Sequence, residues 1–448
     1  MKLEWMAAGV ACTALALAGC EGGSSLIAPQ NRATGAQGRV MGGQQPVNGA
    51  SIYLYAAGAG GYGSAASSLL TSAAGNQDGS GHWYVKTDAS GAFTITGDWS
   101  CPVSPSPSYL YVLAVGGNPG GSTPNPNLAL LAPLGPCTGV NSSTFVMVNE
   151  LSTVAGVWAL SPFMTGATNI GSSATNQTGL AEAFAAVNSV ANPATGTAPG
   201  LSLPAGATVP VSKINTVANI LASCVNSTGG TAGDSSACGN LFAATTVNSV
   251  APTNTVAAAL NMAQHPGANV TALYALQAGS PPFVPSLSSA PNDWTVAINY
   301  TGGGLQAPTA IAADQSGNVW VANSGSNAVS WFDNLGNSKL GATGTVLGGA
   351  PQGVAVDLSG NAWVTAANGD VYELSASNGS IVGSPLAGFN NPTGIAIDPT
   401  AEIWVIDSGN GTVSAVNSSG AALAGSPFSG AGISAPAAIA INGNAKGN

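Results

Sequence analysis

Four prolines, Pro308, Pro351, Pro392 and Pro436, stand 43, 41 and 44 residues apart, and each opens the same short run of residues. After the first three come an Asp in fixed register (Asp314, Asp357, Asp398), a turn, and a Trp in fixed register (Trp320, Trp363, Trp404). Each unit reads Pro-x-x-(Ile/Val)-Ala-x-Asp, a turn, x-Trp-Val and a second Gly turn. A third strand such as Ala328–Phe332 follows, and a fourth near Gly344–Leu347. A period near 40 with about four short strands per unit predicts propeller blades, each burying its apolar face only against its neighbours. Nothing else in the chain constrains its fold as tightly.

The strand count predicts an incomplete ring. Pro436-Ala-Ala-Ile-Ala-Ile-Asn442 begins a fourth unit, and Trp294–Tyr300 has the alternation of an outermost blade strand ahead of the first repeat. Three blades plus a partial fourth leave exposed edges and inter-blade apolar surface. The expectation is an open arc, either truncated or completed by a second copy or another protein, with self-association through the open edge.

The unit resembles the NHL repeat and, more broadly, the streptogramin-lyase-like propellers. That resemblance implies a His general base and a Glu-bound magnesium ion on the propeller face. The chain has only His82 and His265, both outside the repeats, so the family's site carries over to no residue here. No catalytic residue, metal or cofactor is therefore assigned. The rival readings are a propeller lyase or hydrolase acting on an extracellular substrate, and a purely structural adhesion component.

Asp314, Asp357 and Asp398 have a sufficient local role. In Asp-x-Ser-Gly the carboxylate accepts backbone N–H groups two or more residues on and closes the turn between strands. The tetrad recurs as Asp88–Gly91, outside the repeats, between two extended stretches. A turn reused in two settings points to architecture, and Trp320, Trp363 and Trp404 are expected to pack between adjacent blades.

The N-terminal end speaks to compartment. An apolar run from Trp5 to Ala18 has the length of a secretory signal, too short for a stable span. It ends in Leu17-Ala18-Gly19-Cys20, which resembles the lipobox of bacterial lipoproteins and implies lipidation at Cys20. Glu21, rather than Asp, then implies the outer membrane. Cys12 leaves with the signal, and the remaining four cysteines fall as two pairs, predicting Cys101–Cys137 and Cys224–Cys238 disulfides; the metal alternative lacks CxxC spacing and a neighbouring His. With seven Lys and Arg residues among 448 and a net charge of −10, no basic footprint for nucleic acid exists.

Between the ends the period changes twice. Gly38–Met41, Val47–Tyr55, Trp83–Ile95, Tyr109–Val115 and Thr144–Val148 alternate as strands of an antiparallel sandwich. This stretch resembles the carboxypeptidase-regulatory-like, transthyretin-like modules of exported bacterial proteins. Its Gly58-x-Gly60-x-x-Gly63 lacks the helix and acidic residue that a dinucleotide site needs. From 149 the spacing turns helical, at Leu151, Val154, Ala155 and Trp158, at Ile214, Val217, Ala218 and Leu221, and at Val256, Ala259, Leu260 and Ala263; His265 ends the last of these runs. The expected organisation is signal 1–19, tether 20–34, sandwich 35–148, helical region 149–288 and propeller repeats 289–448. It describes a multidomain, mainly β protein held to the membrane by its lipid. Its non-catalytic propeller is expected to bind an unknown protein or glycan, or to act as a scaffold.

Overall fold

The computed structural model describes residues 35–441, except 97, 98, 122, 278 and 431; the signal segment, Cys20, the tether and 442–448 lie outside the described residues. The fold is mainly β, with six α-helices among the described residues, all between two β regions.

Side chains alternate across a strand, so a strand apolar at every position needs cover on both faces. Tyr109–Val115, with the sequence YLYVLAV, is such a strand. It lies between Ser51–Ala56 and Ala129–Pro136 in the larger N-terminal sheet. One face of that sheet (Ile52, Leu54, Leu110, Val112, Leu130) packs against Val40, Phe93, Val146 and Val148 of the smaller sheet. The other face (Tyr53, Tyr55, Tyr111, Leu113, Leu131) packs against the helices in a second core. The smaller sheet departs from the antiparallel expectation. Ala36–Gly42 pairs antiparallel with Ala92–Ile95 but parallel with Phe145–Val148, because the chain crosses through the larger sheet before returning.

The helices are α1 (Glu150–Leu160), α2 (Gln177–Val190), α3 (Val211–Val225), α4 (Ala237–Ala244), α5 (Thr255–Gln264) and α6 (Val270–Tyr274). Asn149, Asn176, Ser236 and Asn254 each accept a hydrogen bond from the backbone N–H three residues on, which starts α1, α2, α4 and α5 where the sequence supplies a capping oxygen. His265 is the C-cap of α5. The Cys224–Cys238 disulfide ties α3 to α4, and Cys101–Cys137 ties the loop after the smaller sheet to the end of the Ala129–Pro136 strand. No helix among the described residues is long and apolar enough to cross a membrane.

Trp294–Tyr300 is not an outer blade strand. Trp294 is fully buried in the helical core, its carbonyl accepts the Trp158 indole N–H at 2.8 Å, and Asn299–Tyr300 pairs with Ala207–Thr208. The indole's apolar area wins: buried among helices it is removed from water more completely than on a blade edge.

Three blades follow. The first is Pro308–Ala313, Val319–Asn323, Ala328–Phe332 and Thr345–Val346. The second is Pro351–Val356, Ala362–Ala366, Asp370–Leu374 and Leu386–Ala387. The third is Pro392–Ile397, Ile403–Asp407 and Thr412–Val416, with its outer strand reduced to a bridge between Val413 and Phe428. Residues 436–441 form no strand, so no fourth blade stands among the described residues.

Candidate functional site

Each blade has a leading face, toward the preceding blade, and a trailing face, toward the next. The fourth residue of the innermost strand, three after the repeat proline, points from the leading face. At that position Val354 is 8% exposed and Ile395 9%, each covered by the blade before it, whereas Ile311 of the first blade is 70% exposed. In front of Ile311 lies a cavity of about 610 Å³. Its walls are mostly apolar: Ile298, Leu305, Ile311, Val319, Val321 and Phe332. A volume of that size lies within the range of small-molecule sites.

One end of the cavity is polar. The Asp333–Gly336 turn closes it, with Tyr300 against the turn; a Cβ at Gly336 would meet the Tyr300 ring at 2.0 Å. The Tyr300 and Phe332 ring centroids are 6.4 Å apart and tilted by 43°. Asp333 Oδ1 accepts the N–H groups of Leu335 and Asn337 at 3.0 and 2.8 Å. Burial, together with the charge of Asp333, raises the Tyr300 hydroxyl above its ordinary pKa.

Behind that end α2 meets the blade. Gly317 has φ +77°, which strains any other residue, and a Cβ there would fall 1.7 Å from Glu182 Oε1 and displace that carboxylate. Burial first, then the charge of Asp314, raises the Glu182 carboxyl above the usual range, while a hydrogen bond from Asn334 favours its ionised form. Glu182 Oε1 is buried without a hydrogen-bond partner. Gly317, Asp333 and Asn334 line the cavity, and no lining residue is basic.

Pro308 lines this cavity, but none of Asp314, Asp357, Asp398, Trp320, Trp363 and Trp404 does. Asp314 Oδ1 accepts the N–H groups of Ser316 and Asn318, Asp357 those of Ser359 and Asn361, and Asp398 those of Thr400 and Glu402. The second oxygen has a role that spacing alone did not reveal. Asp357 Oδ2 accepts the Trp363 indole N–H at 3.1 Å, and Asp398 Oδ2 that of Trp404 at 3.2 Å. Burial raises the Asp398 carboxyl, but the bonds from Thr400, Glu402 and Trp404 outweigh it and hold it at about 2. In the first blade Asn318 Nδ2 takes the Trp position at 2.7 Å, and the Trp320 indole nitrogen has no partner.

Trp320 stacks on Trp331 at 4.4 Å and packs with Val354 and Val364 of the second blade. Trp363 packs with Ile395, Ile403 and Val405 of the third. Trp404 stacks instead on Phe428, at 5.6 Å. Asp88 Oδ1 makes the same turn bonds, to Ser90 and Ala92, in the N-terminal β region. Among the described residues no three His, Cys, Asp or Glu side chains are arranged to hold a metal ion.

Residues 389–415, which span most of the third blade, match the NHL repeat family; the first two blades share its register. Among solved structures, a virginiamycin B lyase from Staphylococcus aureus, in catalytically inactive form with quinupristin, is 17% identical with a TM-score of 0.26, over 29% of this chain and 44% of that one. A hydrazine synthase from Kuenenia stuttgartiensis is 16% identical (TM-score 0.24, 28% and 37% covered). A functionally unknown protein from Desulfotomaculum acetoxidans is 20% identical (TM-score 0.24, 32% and 50% covered). This chain therefore spans half or less of the length of each. No curated protein matches it.

Proposed function

We propose that this chain is an exported binding protein of the bacterial cell envelope, lipidated at Cys20 and held on the outer membrane, whose NHL-type blades bind rather than catalyse. The observation that carries the binding role is the open leading face, with Ile311 exposed where Val354 and Ile395 are covered. The cavity before it offers apolar walls and a polar end, the composition of a ligand pocket. The chain's two histidines, His82 and His265, are both outside the blades, so no imidazole base is at hand there for lyase chemistry. Two disulfides suit an oxidising, extracytoplasmic compartment.

Two measurements test this. An apolar-surface dye should bind the full chain with one-to-one stoichiometry, and Ile311→Ser should weaken it at unchanged melting temperature; equal dye binding by both proteins would remove the cavity from consideration. Cys20→Ser should abolish palmitate incorporation and either release the protein from the membrane fraction or stall it as the uncleaved precursor. A variant that is processed and still partitions fully with membranes would defeat the anchoring half of the proposal.

A further inference from the structure

Resting on the reading of the first-blade cavity as a binding site, we infer that its ligand is an amphiphilic ammonium cation, with an apolar chain along the leading face and its head group beside Tyr300, Phe332 and Asp333.

The apolar walls account for the chain. A ligand that covers Ile311 does for the first blade what the first and second blades do for Val354 and Ile395, removing an aliphatic side chain from water. The polar end accounts for the head. Tyr300 and Phe332 are two tilted rings at one end of the cavity, and cations are attracted to aromatic rings within about 6 Å of their centroids. Asp333 follows Phe332 directly in the chain and also lines the cavity. Among the described residues the ion pairs are His82–Asp78 and Lys213–Asp293, so neither Asp333 nor Glu182 has a basic partner. Lys339, the nearest lysine in sequence, instead places its Nζ 3.9 Å from the centroid of the Trp331 ring.

An anionic amphiphile would meet Asp333 at the cavity, with Asp314 and Glu182 behind it. A neutral one would gain the walls and, at the polar end, only uncharged hydrogen bonds, with no attraction to Asp333. The charge pattern therefore selects among amphiphiles, and the aromatic pair favours a soft, weakly hydrated ammonium over a strongly hydrated metal ion.

Calorimetric titration of the full chain carrying Cys20→Ser, which needs no detergent, tests the inference with three probes below their micelle concentrations: dodecyltrimethylammonium, dodecyl sulfate and an uncharged dodecyl ether. The trimethylammonium probe is expected to bind one-to-one and at least about tenfold more tightly than the other two. Asp333→Asn keeps the turn acceptor, and the Asn337 amide that donates to both Asp333 oxygens can flip to meet the new NH₂, so it should erase that preference with only a small fall in melting temperature. Ile311→Ser should weaken all three probes alike. Equal affinities for the three heads, or a preference that survives Asp333→Asn and so reflects only the net charge of −10, would overturn the ammonium inference and leave the cavity as a binding site. Binding of none of the probes would overturn both.

Discussion

The Trp363 indole N–H donates to the Asp357 carboxylate at 3.1 Å, across the turn that the same carboxylate closes with its other oxygen. One side chain thus fixes both the turn between the first two strands and the rotamer of the ring that fills the gap to the next blade. The third blade repeats the arrangement with Asp398 and Trp404, and the first replaces the indole with the Asn318 amide. In the second and third blades, Asp with Trp six residues later is the sequence trace of this bond.

This difference between blades sets the cost of neutralising each Asp. In Asp357→Asn, an amide that keeps its oxygen toward the turn must point its NH₂ at the Trp363 N–H, donor against donor. The expected loss is about 1.5 kcal/mol, within the range for a hydrogen bond to a charged group. In Asp314→Asn the Asn318 amide can flip and present its oxygen, so the loss should stay below about 1 kcal/mol. Urea denaturation of the two variants compares them, and an Asp314→Asn variant as damaged as Asp357→Asn would contradict the bond's role.

Glu150 gives a pH dependence with a definite sign. Its two oxygens accept the Gly43 N–H at 2.9 and 3.0 Å at the start of α1. Burial pushes its pKa up to about 7 from an ordinary 4.5, against the pull of the bonds from Gly43 and its own N–H. Between those values the folded chain holds a proton that the unfolded chain has released. Stability therefore falls as pH rises from 4.5 to 7, by about 3 kcal/mol in all, and falls no further above. Glu150→Gln keeps an acceptor for Gly43 and should flatten that slope. A slope unchanged in the variant would assign it to other groups.

How much of this was legible in the sequence depended on whether a residue's partner lay nearby along the chain. The turn carboxylates find their donors two and four residues on, and the repeat writes that pattern three times, so the three blades and their register could be read directly, whereas the unit begun at Pro436 lacks the turn and forms no strand among the described residues. The Ala129–Pro136 strand was missed because Pro133 and Pro136 argue against a strand; it is tolerated because it forms the edge of the larger sheet. Trp294–Tyr300 alternates as any blade strand does, and only its packing among helices decides against that role. The cavity is invisible in sequence for a related reason. Ile311, Val354 and Ile395 are equivalent letters, and exposure is set by what stands in front of each.

The disulfides should differ little in their worth. Cys224–Cys238 closes a separation of 14 residues and Cys101–Cys137 one of 36. Chain-entropy arguments give about 3 and 4 kcal/mol respectively, since the dependence on loop length is only logarithmic. Replacing each pair by Ala and measuring denaturant midpoints checks this. A Cys224→Ala/Cys238→Ala variant as stable as the parent would mean that the α3–α4 core restrains the unfolded chain without its bridge.

The equivalence of Ile311, Val354 and Ile395 supplies the sharpest test of which face is open. An Asp at position 354 or 395 would place a carboxylate between two blades with no cation to receive it. Such a group either remains charged at high desolvation cost or takes up a proton, and the expected loss is about 3 kcal/mol or more. The same substitution at 311 adds a carboxylate to a position already 70% exposed, where surface changes stay within about 0.5 kcal/mol. Thermal melts of Ile311→Asp, Val354→Asp and Ile395→Asp should therefore separate one unaffected protein from two weakened ones. If Ile311→Asp melts as low as the other two, something covers the leading face in solution, and the cavity is an interface already occupied rather than a site awaiting a ligand.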